Sequence, residues 1–299
     1  MRQGCNATPI GVNLNACHPR DTTTDGLAVK TVDATFSHPV CYRRSTHLTS
    51  MQLQHKTALV TGGTRGIGAA TALAFAREGA NVAISSRHDD ADAQCTKRAI
   101  EAFGVRCEMI IADCGQPAQC ERLVAQTVAA FGGLDVLVHA AGGAVPGGLQ
   151  EVTPEAWNSA FDVHVHAVFH LARAAVTPMR QGKEGAIILI SSTAGKLGVL
   201  GSLAYQAAKG ALPQLTRALS RELAKDNVRV NCVAPGVIRT KFHEHMSAEQ
   251  KKLNLEQRIP LHREGTPEQV AEVILMLAKN DYITGDTVTI DGGLTARIA

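Results

Sequence analysis

The stretch TALVTGGTRGIGAATALAFAREG, residues 57–79, decides the fold. It opens with a short apolar run, TALVT, breaks into glycines, and continues as an alanine- and leucine-rich segment with helical periodicity. A strand that runs through a glycine-rich turn into a helix is the start of a βαβ unit. Gly62, Gly66 and Gly68 stand at that turn, with Thr64, Arg65 and Ile67 between them. Residues without a Cβ allow the tight turn and let a pyrophosphate approach the backbone. The first amides of the helix then point at the phosphates.

Outward from this unit the chain keeps alternating short apolar runs with longer amphipathic ones. The predicted strands are TALVT (57–61), NVAISS (81–86), RCEMIIA (106–112), LDVLVHA (134–140), GAIILIS (185–191), VRVNCVA (228–234) and TVTID (287–291). Several are apolar almost throughout, as strands covered on both faces must be. Segments such as AQCERLVAQTVAAFG separate them as helices. The pattern predicts a doubly wound, Rossmann-like parallel α/β sheet in a single domain spanning residues 51–299. Residues 1–50 are rich in Thr, Ser, Asn, Pro and His and lack either period. They are read as a disordered extension, or as the result of a start placed upstream of a true initiator at Met51.

At 299 residues, 45% hydrophobic and 19% charged, the chain has the composition of a globular protein with a sizeable core. A net charge of +3 gives no reason to expect nucleic acid or a membrane surface as partner. No apolar run approaches a bilayer span, and the first residues lack a signal-peptide pattern, so a cytoplasmic location is expected. The eight cysteines form no CxxC pair, which points to reduced thiols and no metal site.

The loop TGGTRGIG resembles the TGxxxGIG loop of the short-chain dehydrogenase/reductase family. DVLVHAAGG (135–143), SSTAG (191–195), YQAAK (205–209), APGVIRT (234–240) and ITGDTVTIDGG (283–293) resemble the family's later landmarks, in order. The likeness covers residues 56–293 and is similar in texture to 3-oxoacyl-carrier-protein reductases. It implies a nicotinamide cofactor held by the glycine loop and by Asp113, Ala141, Gly142, Pro235, Gly236, Val237, Ile238 and Thr240. It also implies that the polar stretch 241–258 is a substrate lid, and that the protein assembles as a homo-tetramer or dimer. The second strand ends in Ser85, Ser86 and Arg87, with no acidic residue for the adenosine ribose. Arg65 and Arg87, two guanidiniums read as having no carboxylate beside them, suit a 2′-phosphate, so NADP(H) is the expected cofactor.

Tyr205 and Lys209 are four residues apart and share a helix face. The lysine cation, together with the positive nicotinamide ring of the oxidised cofactor, is expected to lower the phenol, making Tyr205 the general acid for carbonyl reduction and the general base for alcohol oxidation. In the family the lysine also bonds the nicotinamide ribose. Ser192 sits where the family's catalytic serine does, and its hydroxyl suits a developing alkoxide; Ser191 would point to the other side of the strand. Two departures stand out. The NNAG segment of relatives reads His139-Ala140-Ala141-Gly142, and the family's fourth catalytic position, an Asn, is His164. An imidazole there is expected to hold the water that reprotonates the site or to relay the proton itself, the latter imprinting a titration near 6.5. His166 and His170 share a helix face but, with no carboxylate or Cys beside them, do not read as a metal site. The substrate is expected to be a small carbonyl or alcohol. The alternatives are a sugar or polyol dehydrogenase and, in another class, a catalytically silent NADPH-binding sensor or scaffold.

Overall fold

In the computed structural model, which describes residues 50–296 apart from His245, every predicted apolar run becomes a strand. These are β1 (Thr57–Thr61), β2 (Asn81–Ser86), β3 (Cys107–Ile111), β4 (Val136–His139), β5 (Gly185–Ile190), β6 (Val228–Pro235) and β7 (Thr287–Ile290). The helices are α1 (Gly66–Arg77), α2 (Ala91–Glu101), α3 (Pro117–Phe131), α4 (Pro154–Phe161), α5 (Ala167–Gln181), α6 (Leu203–Leu223), α7 (Ala248–Leu253) and α8 (Pro267–Lys279). The strands are all parallel in the order β3-β2-β1-β4-β5-β6-β7. β1 therefore pairs with β2 on one side and β4 on the other. The chain leaves these strands in opposite directions, opening a crevice at their carboxyl ends where ligands of such sheets bind.

Strand alternation sorts the core into two layers. Ala58, Val60, Val82, Ile84, Val136, Val138 and Ile188 face Phe75 of α1 and Ile274 and Leu277 of α8. Leu59, Ala83, Leu137, Ile187 and Leu189 face Leu123 of α3, Leu171 and Met179 of α5, and Leu212 of α6. Both faces are covered, so neither can be polar, and each fully buried large aliphatic contributes about 1.5–3 kcal/mol. The packing includes the segment before β1: Met51 and Leu53 are buried, and the Met51 amide donates to the Lys279 carbonyl at 2.8 Å. Residues 1–49, on which the expected extension falls, lie outside the described residues. Among the described residues no helix is long and apolar enough to cross a membrane.

Helix starts separate structure from function. α2 is capped by Asp90, α4 by Thr153 and α8 by a Thr266–Gln269 capping box. α1 begins after Arg65 with no side-chain cap, leaving its first amides directed at the crevice. A π-turn, Asp162–His166, separates α4 from α5.

Candidate active site

The glycine loop is shaped by contacts only glycine permits. Gly62 has φ +63°, and a Cβ there would lie 2.8 Å from Ala141 Cα. A Cβ on Gly68 would lie 2.1 Å from the Gly62 carbonyl oxygen. Gly66, at φ +55°, faces Thr240 Cγ2, which a Cβ would meet at 3.4 Å. The loop, Ala141 and Thr240 are thus gathered around the uncapped start of α1. This backbone-lined cradle, which side chains would fill, fits the pyrophosphate of a dinucleotide. Thr64 is buried and its carbonyl accepts from Thr96 Oγ1 at 2.9 Å, while Ile67 packs on the core. At the end of β3, Asp113 Oδ1 accepts from the Gly115 amide at 2.9 Å. Pro235 ends β6 and Gly236 follows it beside Asp291, and the backbone of Val237 and Ile238 is tied to Gly265.

The reading of two cations without a carboxylate needs correction. Arg87 is exposed and makes no ion pair among the described residues, but Arg65 pairs with Asp90 Oδ2 and lies 3.8 Å from Asp92 Oδ2. The sequence placed these acids beyond the strand. The turn into α2 folds them back against the glycine loop.

At the carboxyl end of β5, three expected residues converge. The Ser192 hydroxyl is near enough to the Tyr205 phenol to favour its ionised form, and Lys209 Nζ lies 5.7 Å from the Tyr205 ring centre. Ser191 instead donates its hydroxyl to the Lys209 carbonyl at 2.7 Å, locking α6 to the sheet. Lys209 Nζ donates to the Ile190 carbonyl at 2.6 Å, and burial draws its pKa down to about 8. Burial raises the Tyr205 phenol above its usual value, opposed by the Ser192 hydroxyl. The expected lowering by the lysine is therefore not what the protein alone provides, because Lys209 is itself buried and committed to a backbone carbonyl.

Both histidine departures are buried. His139 Nε2 donates to the Val163 carbonyl at 2.9 Å, and its Nδ1 accepts from Thr61 Oγ1 at 2.9 Å. Thr61 Oγ1 in turn accepts from the amides of Ala140 and Ala141 at 3.2 and 3.1 Å. These bonds join β1, β4 and the π-turn, and burial lowers the His139 pKa to about 4. His164 packs over Gly142, where a Cβ would lie 2.1 Å from its Cε1, and meets the Tyr205 ring edge-on at 5.5 Å. Its Nε2 donates to the Gly143 carbonyl at 3.1 Å, leaving Nδ1 a bare, buried acceptor. Burial first, then the nearby Lys209 cation, pull its pKa to about 2. Burial therefore favours the neutral ring over the imidazolium that a relay titrating near 6.5 would use. The expectation that no carboxylate adjoins His166 is also corrected: its Nδ1 pairs with Asp162 Oδ1 at 2.9 Å, and His170 is not joined to them.

Three features escaped the sequence reading. Phe242, at the root of the expected lid, lies 5.6 Å from the Tyr205 ring, centre to centre. A hollow of about 280 Å³ opens beside Thr240, lined by Arg239, Lys241, Glu244, Lys251 and Glu264. Exposed Leu149, Leu197, Val199 and Leu200 join Phe242 on the loops that follow β4, β5 and β6, and a Gly147–Ser202 bridge holds the first two loops together. Spacing along the chain carries no sign of these juxtapositions. His245, within the stretch 241–258 expected as a lid, lies outside the described residues.

The family model described as enoyl-(acyl carrier protein) reductase matches residues 62–295. The 3-oxoacyl-(acyl-carrier-protein) reductase FabG of Chlamydia muridarum is 36% identical over 244 residues, covering 81% of this chain and 98% of that protein. Dehydrogenase/reductase SDR family member 4 of Homo sapiens is 36% identical over 254 residues, 82% of this chain and 90% of that one. A crystal structure of a short-chain type dehydrogenase/reductase from Mycobacterium marinum superposes with a TM-score of 0.78 at 35% identity, covering 82% and 98% of the two chains.

Proposed function

The chain belongs to the short-chain dehydrogenase/reductase family, oxidoreductases that use a nicotinamide cofactor, and from that premise we propose that it is an NADP(H)-dependent ketone reductase, or secondary-alcohol dehydrogenase, with 3-oxoacyl thioesters among its substrates. The observation that carries this reading is the convergence of Ser192, Tyr205 and Lys209 beside the glycine cradle. A nicotinamide cofactor held there would supply the hydride, or accept it in the reverse direction. The protein's part is to bind, orient and move a proton. The Tyr205 hydroxyl, kept protonated by burial, donates its proton to the carbonyl oxygen, while Ser192 steadies the negative charge that develops there. Lys209, fixed by Ile190, anchors the cofactor's ribose and recharges Tyr205. His164 stays neutral, and its Nδ1 accepts a hydrogen bond from a water on the path between Lys209 and solvent. Arg87 and Arg65 recognise the 2′-phosphate.

Leu149, Leu197, Val199, Leu200 and Phe242, exposed on the loops that follow β4, β5 and β6, favour a substrate with an apolar body rather than a polyol. The same reading includes a cytoplasmic setting and a dimer or tetramer assembled through the long helices α5, where Phe169 is exposed, and α6, and the last strand, β7.

The deciding experiment follows NADPH absorbance with a panel of ketones, β-ketoesters, 3-oxoacyl thioesters and sugars. Turnover of a ketone or thioester that disappears in Tyr205→Phe supports the proposal. NADPH binding without turnover of any member would favour a silent binder instead.

A further inference from the structure

The two oxygens of the Asp90 carboxylate have separate tasks. Oδ1 accepts from the Ala93 amide at 3.0 Å and caps α2. Oδ2 pairs with the Arg65 guanidinium at the mouth of the glycine loop. Asp92 stands behind this pair, 3.8 Å from Arg65 Nε and held by Lys241 Nζ at 2.8 Å. Arg65 therefore carries its own counter-charge into the cofactor site, whereas Arg87 carries none among the described residues.

We propose that Asp90 is a specificity-determining residue: its carboxylate competes with the adenosine 2′-phosphate for Arg65 and sets how strongly the enzyme prefers NADPH to NADH. The inference rests on the NADP(H) reading above. Arg65 and Asp90 are 47% and 39% exposed, so water and salt weaken the pair and it opens at small cost. A phosphate presents more charge and more oxygens to the guanidinium fork than one carboxylate oxygen does, so it displaces Asp90. The neutral 2′-hydroxyl of NADH has no such leverage and leaves the pair closed. Preference for NADPH is accordingly held below what two unpaired guanidiniums would give.

Asp90→Asn isolates the effect, because an amide oxygen still caps α2 while the charge is gone. Asp90→Ser, also a good cap, serves as the second variant. Binding to the full chain is titrated by fluorescence with NADPH, NADH, adenosine 2′,5′-bisphosphate and adenosine 5′-monophosphate. In both variants the dissociation constants of NADPH and the bisphosphate should fall about two- to fivefold, the upper range of an exposed ion pair. Those of NADH and the monophosphate should move less than about twofold. The gain should shrink with added salt and vanish in the Arg65→Ala background. Unchanged NADPH binding, an equal gain for NADH, or a gain that survives Arg65→Ala overturns the competition. If the parent binds NADPH no better than NADH, the cofactor reading itself falls. The competition is then supported if Asp90→Asn creates a preference and overturned if it does not.

Discussion

Replacing His139 and His164 by Asn, singly and together, should flatten the acid side of the stability profile. Both rings are buried and neutral in the fold, with pKa values of about 4 and about 2, against about 6.5 in the unfolded chain. Below about pH 6.5 the unfolded chain takes up a proton on each ring that the native state refuses, so stability falls as pH falls. The loss is confined to the window between 6.5 and each folded pKa, and above 6.5 neither ring contributes any slope. Between about pH 7.5 and 5.0 each ring costs about 2 kcal/mol, from 1.5 units at 1.36 kcal/mol per unit. Together they remove about 4 kcal/mol, a large share of the roughly 5–15 kcal/mol that holds a domain together. The groups facing them do not blur the comparison. His139 meets Thr61 and the Val163 carbonyl, and His164 meets Gly143, Tyr205 and Lys209. Of these only Lys209 is charged in the window. The carboxylates with lowered pKa values, Asp90, Glu155, Asp226, Glu249 and Asp291, titrate further down and are common to all variants. Urea unfolding followed by circular dichroism at the two pH values, at one protein concentration, gives the difference for each protein. A double Asn variant that loses as much stability on acidification as the parent would refute the assignment.

Tyr205→Phe should lower turnover by about 10²–10⁴-fold while NADPH affinity, read by fluorescence titration, changes less than about twofold. Ser191→Ala and Ser192→Ala should separate: the first lowers the melting temperature because the bond to the Lys209 carbonyl is lost, and the second lowers turnover with little change in melting. Gly68→Ala should destabilise the domain by about 3 kcal/mol in denaturant unfolding, since its Cβ would fall 2.1 Å from the Gly62 carbonyl oxygen. His164→Asn should stay active with an unchanged profile from about pH 5.5 to 9, because a ring neutral at about 2 adds no titration there, whereas His164→Leu should lose about tenfold. A shifted profile in the Asn variant would show that His164 does titrate.

The parallel sheet was legible because its strands are buried on both faces, which forces runs such as AIILI into view; the structure moves strand ends by only a residue or two. The glycine loop and the Tyr205–Lys209 pair were legible for a similar reason, since each is a local pattern on one turn or one helix face. What stayed hidden depends on chain segments meeting from a distance. Asp90 is 25 positions from Arg65, and Phe242 reaches Tyr205 from the lid root. The Tyr205 phenol was expected to be lowered by a neighbouring cation. In the protein alone the direction is the opposite, because Lys209 is buried with the phenol, and burial outweighs a cation already committed to the Ile190 carbonyl. His139 looked like a lost asparagine, but an imidazole also offers one donor and one acceptor, and the fold uses both.

The π-turn at Asp162–His166 has a consequence for how this stretch tolerates change in length. A wide turn takes up one residue more than the helix around it needs, so α4 and α5 are out of phase with each other as an uninterrupted α-helix would set them. Each residue of an α-helix rotates its successor by about 100°. Removing one residue here would let the turn tighten to ordinary α-helix, and either α5 or α4 would have to spin by that angle about its axis. Keeping α5 in place, with Leu171 and Met179 in the core, would swing Trp157 and Phe161 off their present face. Keeping α4 in place would turn the apolar stripe of α5 out of the sheet. A single deletion in this segment should therefore be far more damaging than any single substitution in it, and the length of the segment is under tighter constraint than the identity of its residues.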